Sequence, residues 1–250
     1  MSAKARRPTV PAGKPEGRFG LRALVAAAAL ALVAVPFGLL LLLVQDKWSP
    51  LLRADTGARD DLHRYAVDHG PFVIAMRALS AIGSTTVWLA VFAAVVAWLL
   101  WRRLPRLALF VAVTVVVSPI LNGVVKAAVH RSRPLLPDPV AHASGQSFPS
   151  GHAQGAIVGC SVLLLVFLPW LRGVWRPIAV VAAVMLTAAI GFSRVALGVH
   201  YVSDVLAGYA LGAAWVAAMI AAFNALRVER GRPKARPTDG LEPDAAAPSQ

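Results

Sequence analysis

Residues 23–44 run without a single charged side chain. About 20 helical apolar residues cross the hydrocarbon core of a bilayer, so this stretch is long enough to span one. Comparable uncharged runs follow at 83–101, 107–125, 153–170 and 177–192, and another at 201–226 is interrupted only by Asp204. A cleaved signal peptide competes for the first run. That run is longer than an ordinary signal core and ends Leu42-Leu43-Val44-Gln45-Asp46 without a small-residue cleavage pattern. It reads as a first span, bent near Pro36. The expected fold is all-α, an integral membrane bundle of six transmembrane helices (residues 23–226). A basic disordered tail (1–22) precedes it, and a second disordered tail (227–250) rich in Arg, Pro and Ala follows.

Composition agrees with a membrane solvent. The chain is 58% hydrophobic and only 15% charged, against about 25% charged in ordinary soluble domains. A net charge of +13 would suggest nucleic acid in a soluble protein, but the location of the cations argues otherwise. Six spans put both termini on one side. Six Lys/Arg in the N-terminal tail, three in the turn 102–106, two in the turn 172–176 and five in the C-terminal tail place sixteen of the 25 on that side. Loops with excess Lys and Arg face the cytoplasm, so both termini are expected there and nucleic acid is not an expected partner. Cys160, the single cysteine, lies within an apolar run and reads as a small buried residue.

The opposite, extracytoplasmic side then collects the segment 45–71, the loop 126–150 and the link 193–204. In 45–71, Leu62, Tyr65 and Ala66 have the spacing of a short surface helix, and His63 and His69 read as surface residues. Three groups of polar residues stand out on this side. Lys126 is followed seven positions later by Arg133-Pro134, nearly two helical turns on, although a residue before proline is disfavoured in a helix. Pro149-Ser150-Gly151-His152 opens the fourth span, with Ser150 suited to cap the helix and Gly151 allowing close backbone approach. A helix N-terminus with free N–H groups is an anion site. Ser193-Arg194 leads to His200 and Asp204, spaced i, i+4 so that their side chains meet, and Gly198 offers a turn that brings Arg194 back towards them.

A carboxylate bonded to one imidazole nitrogen fixes the tautomer and leaves the other nitrogen free as base or nucleophile. Three cations, a helix N-terminus and two histidines are what in-line phosphoryl transfer requires. Taken singly, Lys126 and Arg133 also fit interfacial anchors, Ser150 a plain cap, and His200–Asp204 a structural pair. Their arrival together on one membrane face favours a site.

These three segments resemble the membrane-bound type 2 phosphatidic acid phosphatases, whose superfamily includes glucose-6-phosphatase and the vanadium haloperoxidases. The shared pattern is Lys, six residues, Arg-Pro; Pro-Ser-Gly-His; and Ser-Arg, five residues, His, three residues, Asp. The chain matches it throughout 126–204. The resemblance implies that His200 attacks phosphorus to form a phosphohistidine, that Asp204 orients His200, and that His152 protonates the leaving alkoxide. Lys126, Arg133, Ser150, Gly151 and Arg194 would hold the phosphate oxygens. It implies no metal and no cofactor.

The expected activity is hydrolysis of a membrane lipid phosphate or diphosphate at the extracytoplasmic face of the cell membrane, with undecaprenyl diphosphate, phosphatidylglycerol phosphate and phosphatidic acid as candidates. Transfer to an acceptor other than water is the alternative enzyme reading, and a phospholipid-binding or transport protein the non-enzyme one. The sequence sets no oligomeric state. His130 and His142 fall outside the motifs and read as solvated or supporting residues. Arg131 reads as a source of positive potential at the cleft mouth, and Phe148 as loop packing.

Overall fold

The computed structural model describes residues 16–229. The parts of the expected tails at 1–15 and 230–250 lie outside the described residues. Eight helices follow in order: α1 (Glu16–Gln45), α2 (Ser49–Asp68), α3 (Gly70–Ile82), α4 (Thr85–Trp101), α5 (Pro105–Val129), α6 (Gly151–Phe167), α7 (Trp175–Ala196) and α8 (Val202–Glu229). A 3-10 turn, Leu168–Trp170, continues α6, and no strand occurs among the described residues.

Helix starts follow their local chemistry. Prolines occupy the first turns of α2, α3 and α5, where the missing N–H costs nothing. Ser84 caps α4 by accepting from the Val87 N–H at 3.3 Å. α1 already includes residues 16–22 of the stretch expected as tail, and no proline occurs between Pro15 and Pro36 to interrupt it. Pro36 lies within α1 without ending it.

Among the described residues, four segments are long and apolar enough to cross a membrane: α5, α6 with its 3-10 turn, α7, and α8 as far as Phe223. Two bent pairs bring the total to as many as six. Ala31–Gln45 of α1 meets α2 at 92°, and α3 meets α4 at 43°.

The segment 45–71 differs most from expectation. Instead of a short surface helix it holds the twenty-residue α2, which buries Asp55, His63 and Ala66. These positions and Leu62 share one stripe at 3.6 residues per turn, and that stripe faces the bundle. His63 is therefore not a surface residue. Its Nε2 lies 2.8 Å from the Pro137 carbonyl oxygen and ties α2 to the loop after α5. His69 remains exposed.

The main core gathers side chains of α4, α5, α6 and α8, including Phe92, Leu99, Phe110, Val111, Val162 and Val216. α6 packs against both α7 and α8, and α1 closes over α8. Apolar side chains gain little by leaving lipid, so such bundles depend on close backbone approach at small residues. At Gly208 of α8 a Cβ would stand 2.5 Å from the Ser150 carbonyl oxygen and 3.0 Å from the Ala153 Cβ. Neither neighbour is a flexible side-chain end, so the start of α6 and the first turns of α8 come together only over glycine. Gly208→Ala should lower stability by about 1–3 kcal/mol, the usual cost of overpacking, read as a lower thermal-unfolding midpoint in detergent. Gly57→Ala, with nothing within 4 Å of its added carbon, is the matched control and should not lower it.

Candidate active site

Each motif segment sits where a helix begins or ends. Lys126 is in the last turn of α5, and α5 stops at Val129 as His130 takes a left-handed conformation, φ 54°. The chain beyond has no regular secondary structure and carries Arg133. The Arg133 Nε donates to the carbonyls of Ser144 and Gly145 at 3.1 and 3.0 Å, and one terminal nitrogen donates to the Val199 carbonyl at 2.8 Å. Lys126 Nζ donates to the Gln146 carbonyl at 2.6 Å. The two cations thus fasten the returning loop over the ends of α5 and α7.

Ser150 caps α6, its Oγ accepting from the Ala153 N–H at 3.5 Å. Its own N–H donates to the Asp204 carbonyl at 2.9 Å, which joins the second motif to the third. Phe148 is fully buried and stacks on Phe37 with ring centroids 6.2 Å apart, so it packs the loop. α7 ends at Ala196, and Gly198 at φ +69° turns the chain, as its expected role requires. The His200 N–H then donates to the Arg194 carbonyl at 3.2 Å.

His200 and Asp204 do not share a helix, because α8 begins at Val202. They still meet. Asp204 is the third residue of α8, and its carboxylate reaches back to cap it, Oδ2 accepting from the Tyr201 N–H at 2.9 Å. The same oxygen lies 3.4 Å from His200 Nδ1, while His200 Nε2 lies 3.1 Å from an Arg133 terminal nitrogen. Nδ1–H donating to Asp204 leaves the Nε2 lone pair to accept from Arg133. That lone pair is the one available for chemistry.

Lys126, Arg133, Gly151, His152, Arg194 and His200 line one cavity of about 640 Å³. Asp204 lies behind His200, fully buried. Ser150 is buried too and does not line the cavity; its hydroxyl serves the helix. From Lys126 the lining runs back along α5 through Asn122 and Pro119 to Val115, about 16 Å at 1.5 Å per residue. Trp88, Leu89, Phe92 and Val158 complete this apolar part. Asn122 donates to Gln154 Oε1 at 2.8 Å, and Gln154 donates to Ser118, so these three side chains satisfy one another.

The sequence pattern of the PAP2 superfamily matches residues 107–227, which contain every one of these motif residues. The similarity to the PAP2 superfamily rests on that segment, which is a little under half of the chain. Phosphatidylglycerophosphatase B of Bacillus subtilis (strain 168) is 41% identical over 96 residues, 37% of this chain and 46% of that protein. Undecaprenyl-diphosphatase of Sulfolobus acidocaldarius is 31% identical over 147 residues, 55% of this chain and 64% of that protein. The chain therefore spans about half to two thirds of the length of these curated relatives. A crystal structure of a transmembrane PAP2 type phosphatidylglycerolphosphate phosphatase from Bacillus subtilis superposes with a TM-score of 0.66 at 24% identity. It covers 81% of this chain and 98% of the other, and it shows the shared fold.

The PAP2 segment does not complete the site alone. Arg194 donates to the Ser80 hydroxyl on α3. Arg131, expected to be a cation at the cleft mouth, instead donates to Asp204 Oδ1 at 2.6 Å and to Asp55 on α2 at 2.9 Å. Its charge is spent on two carboxylates, and nothing in its spacing announces that. His142 lines the cavity although it lies outside the motifs, while His130 serves the turn after α5.

Burial and the nearby guanidinium groups of Arg133 and Arg194 push His200 down to about 4, against the upward pull of Asp204. Burial also lowers Arg133 from its ordinary value. Between about 4 and the ordinary 6.5 the unfolded chain therefore holds the His200 proton and the folded chain does not. Stability from this group is complete above 6.5 and is lost as pH falls towards 4. Thermal unfolding across pH 4–7.5 should show a steeper acid decline for the unaltered protein than for His200→Gln. Equal slopes would mean that His200 is not held neutral.

Proposed function

We propose that this chain is a metal-independent lipid phosphate phosphatase acting through a phosphohistidine intermediate. The observation that carries the reading is the cavity in which Lys126, Arg133, Arg194, His152 and His200 meet and which continues among apolar side chains of α4, α5 and α6. The cationic part suits a phosphate, and the apolar part suits the hydrocarbon attached to it. Two similar proteins bear the names phosphatidylglycerophosphatase and undecaprenyl-diphosphatase, which favours a lipid phosphomonoester or diphosphate.

Lys126, Arg133, Arg194 and the N–H groups at the start of α6 receive the phosphate oxygens. As the phosphate takes over the Arg133 hydrogen bond, His200 Nε2 is released and forms the N–P bond in line with the leaving oxygen. Asp204 stabilises the imidazolium that develops. The bond from phosphorus to the lipid oxygen breaks, and His152 gives that oxygen its proton. Water attacks the phosphohistidine, His152 takes its proton, the N–P bond breaks, and inorganic phosphate leaves. The three side-chain cations carry the neutralisation that a divalent metal provides elsewhere.

The arrangement in the cell membrane belongs to the same proposal. The six spans are α1, α3 with α4, and α5 to α8, with α2 lying along the outer surface. Both termini are then cytoplasmic, and the motif residues lie at the extracytoplasmic face, as the distribution of Lys and Arg favours.

Purified protein in micelles with EDTA should release phosphate from a panel of glycerolipid and polyprenyl phosphates. His200→Ala, Asp204→Asn and His152→Ala should each lose about 100-fold or more, the scale of general acid–base and nucleophilic contributions. Full turnover in His200→Ala, or a phosphorylated acceptor in place of free phosphate, would overturn the mechanism. For topology, Val140→Cys should be labelled by an impermeant reagent outside intact cells while Leu104→Cys is protected. Cys160 is buried and adds little background. The opposite labelling pattern would invert the orientation.

A further inference from the structure

We infer that Asp55 and Arg131 are positioning residues that fix the orientation and effective charge of Asp204 behind His200, making α2 part of the site. The inference rests on the reading of His200 as nucleophile. One terminal nitrogen of Arg131 donates to Asp204 Oδ1 at 2.6 Å and to the Ser203 hydroxyl at 2.7 Å, and the other to Asp55 Oδ2 at 2.9 Å. Asp55 Oδ1 accepts from the Ser203 N–H at 2.9 Å, and Oδ2 accepts the Ser203 hydroxyl. The guanidinium lies 4.3 Å from the centre of the Tyr201 ring. Asp55 and Asp204 are both about fully buried, so neither charge is screened by water.

One cation is thus shared between two buried carboxylates. Paired with Asp204 alone, Arg131 would neutralise the carboxylate on which the His200 Nδ1–H depends. Asp55 draws part of that charge away and, through both Ser203 bonds, holds the first turn of α8 against α2. The other charged or titratable groups around His200 are Arg133 from the loop, Arg194 from α7, Lys126 from α5 and His152 from α6. None of these contacts Asp55, so changes at Asp55 reach His200 by way of Arg131 and Asp204.

The test is a cycle of two substitutions with two readouts. Histidine-labelled full-length protein in micelles is titrated by NMR, with the His200 resonance assigned by its loss in His200→Gln, and phosphate release is measured in parallel. Asp55→Asn leaves Arg131 unshared, so the His200 midpoint should fall by about 1 unit, the effect of one close charge. Its kcat should fall about tenfold at unchanged KM, because Asp55 does not line the cavity. Asp55→Asn combined with Arg131→Gln removes the cation as well, and the midpoint should rise above that of the unaltered protein. A midpoint that stays constant across all three proteins, or a loss confined to KM or to the yield of folded protein, would overturn the inference. Should Asp55→Asn not fold, Ser203→Ala keeps every charge and removes the hydroxyl that bridges Asp55 and Arg131 at the start of α8, leaving the Arg131–Asp55 pair and the Ser203 N–H bond in place. A smaller fall in kcat at unchanged KM supports the inference, and unchanged kcat refutes it. If the midpoints move as stated while no protein releases phosphate, the positioning role stands and the phosphatase reading fails.

Discussion

One backbone hydrogen bond holds the site together: the Ser150 N–H donates to the Asp204 carbonyl at 2.9 Å. It locks the opening of α6 to the opening of α8, and Gly208 beneath it lets the two helices come close enough for it to form. With those two helix starts fixed, the N–H groups of α6, His152 and His200 are presented to one space. Lys126 and Arg133 then need only reach that space from the end of α5. They do so by donating to carbonyls of the loop that ends at Ser150, so the loop is anchored by the same cations that line the cavity.

Gathering cations in a partly buried place is unfavourable unless each finds oxygen. Carbonyl oxygens serve Lys126 and Arg133, and the Ser80 hydroxyl serves Arg194. The Arg194 Nε is buried and has no partner among the described residues. A buried donor left in that condition costs about 1–3 kcal/mol. An acceptor oxygen brought against that nitrogen would relieve the cost.

What the sequence disclosed and what it hid divide along the range of the interactions. The helical class, the apolar runs, the Ser150 cap and the turn at Gly198 depend on near neighbours and were legible. The meeting of Lys126 with Arg133 was legible too, since only six residues separate them. The pairing of His200 with Asp204 was expected from helical spacing, yet it arises from a carboxylate folding back over a helix start. His63 reads from sequence as a surface residue, Arg131 as positive potential at the cleft mouth and Asp55 as one more charge in a polar stretch, because none of them stands out from its neighbours. Asp55 meets Ser203 across 148 positions, and no local pattern encodes that contact. The only clue was that Asp55 and His63 share a helical stripe with Leu62 and Ala66. The inclusion of residues 16–22 in α1 was missed for a simpler reason, since basic residues do not stop a helix where proline is absent.

The dependence on α2 and α3 changes what counts as a unit in this protein. A fragment cut to residues 107–227 would keep every residue of the recognisable pattern. It would also strip Arg131 of Asp55 and Arg194 of Ser80, exposing two formerly enclosed guanidinium groups to whatever replaced them. The span that is easiest to recognise is therefore not the span that can be excised. Grafting or minimising this scaffold has to begin no later than α2, because the electrical balance of the site is closed by a helix that carries none of its signature.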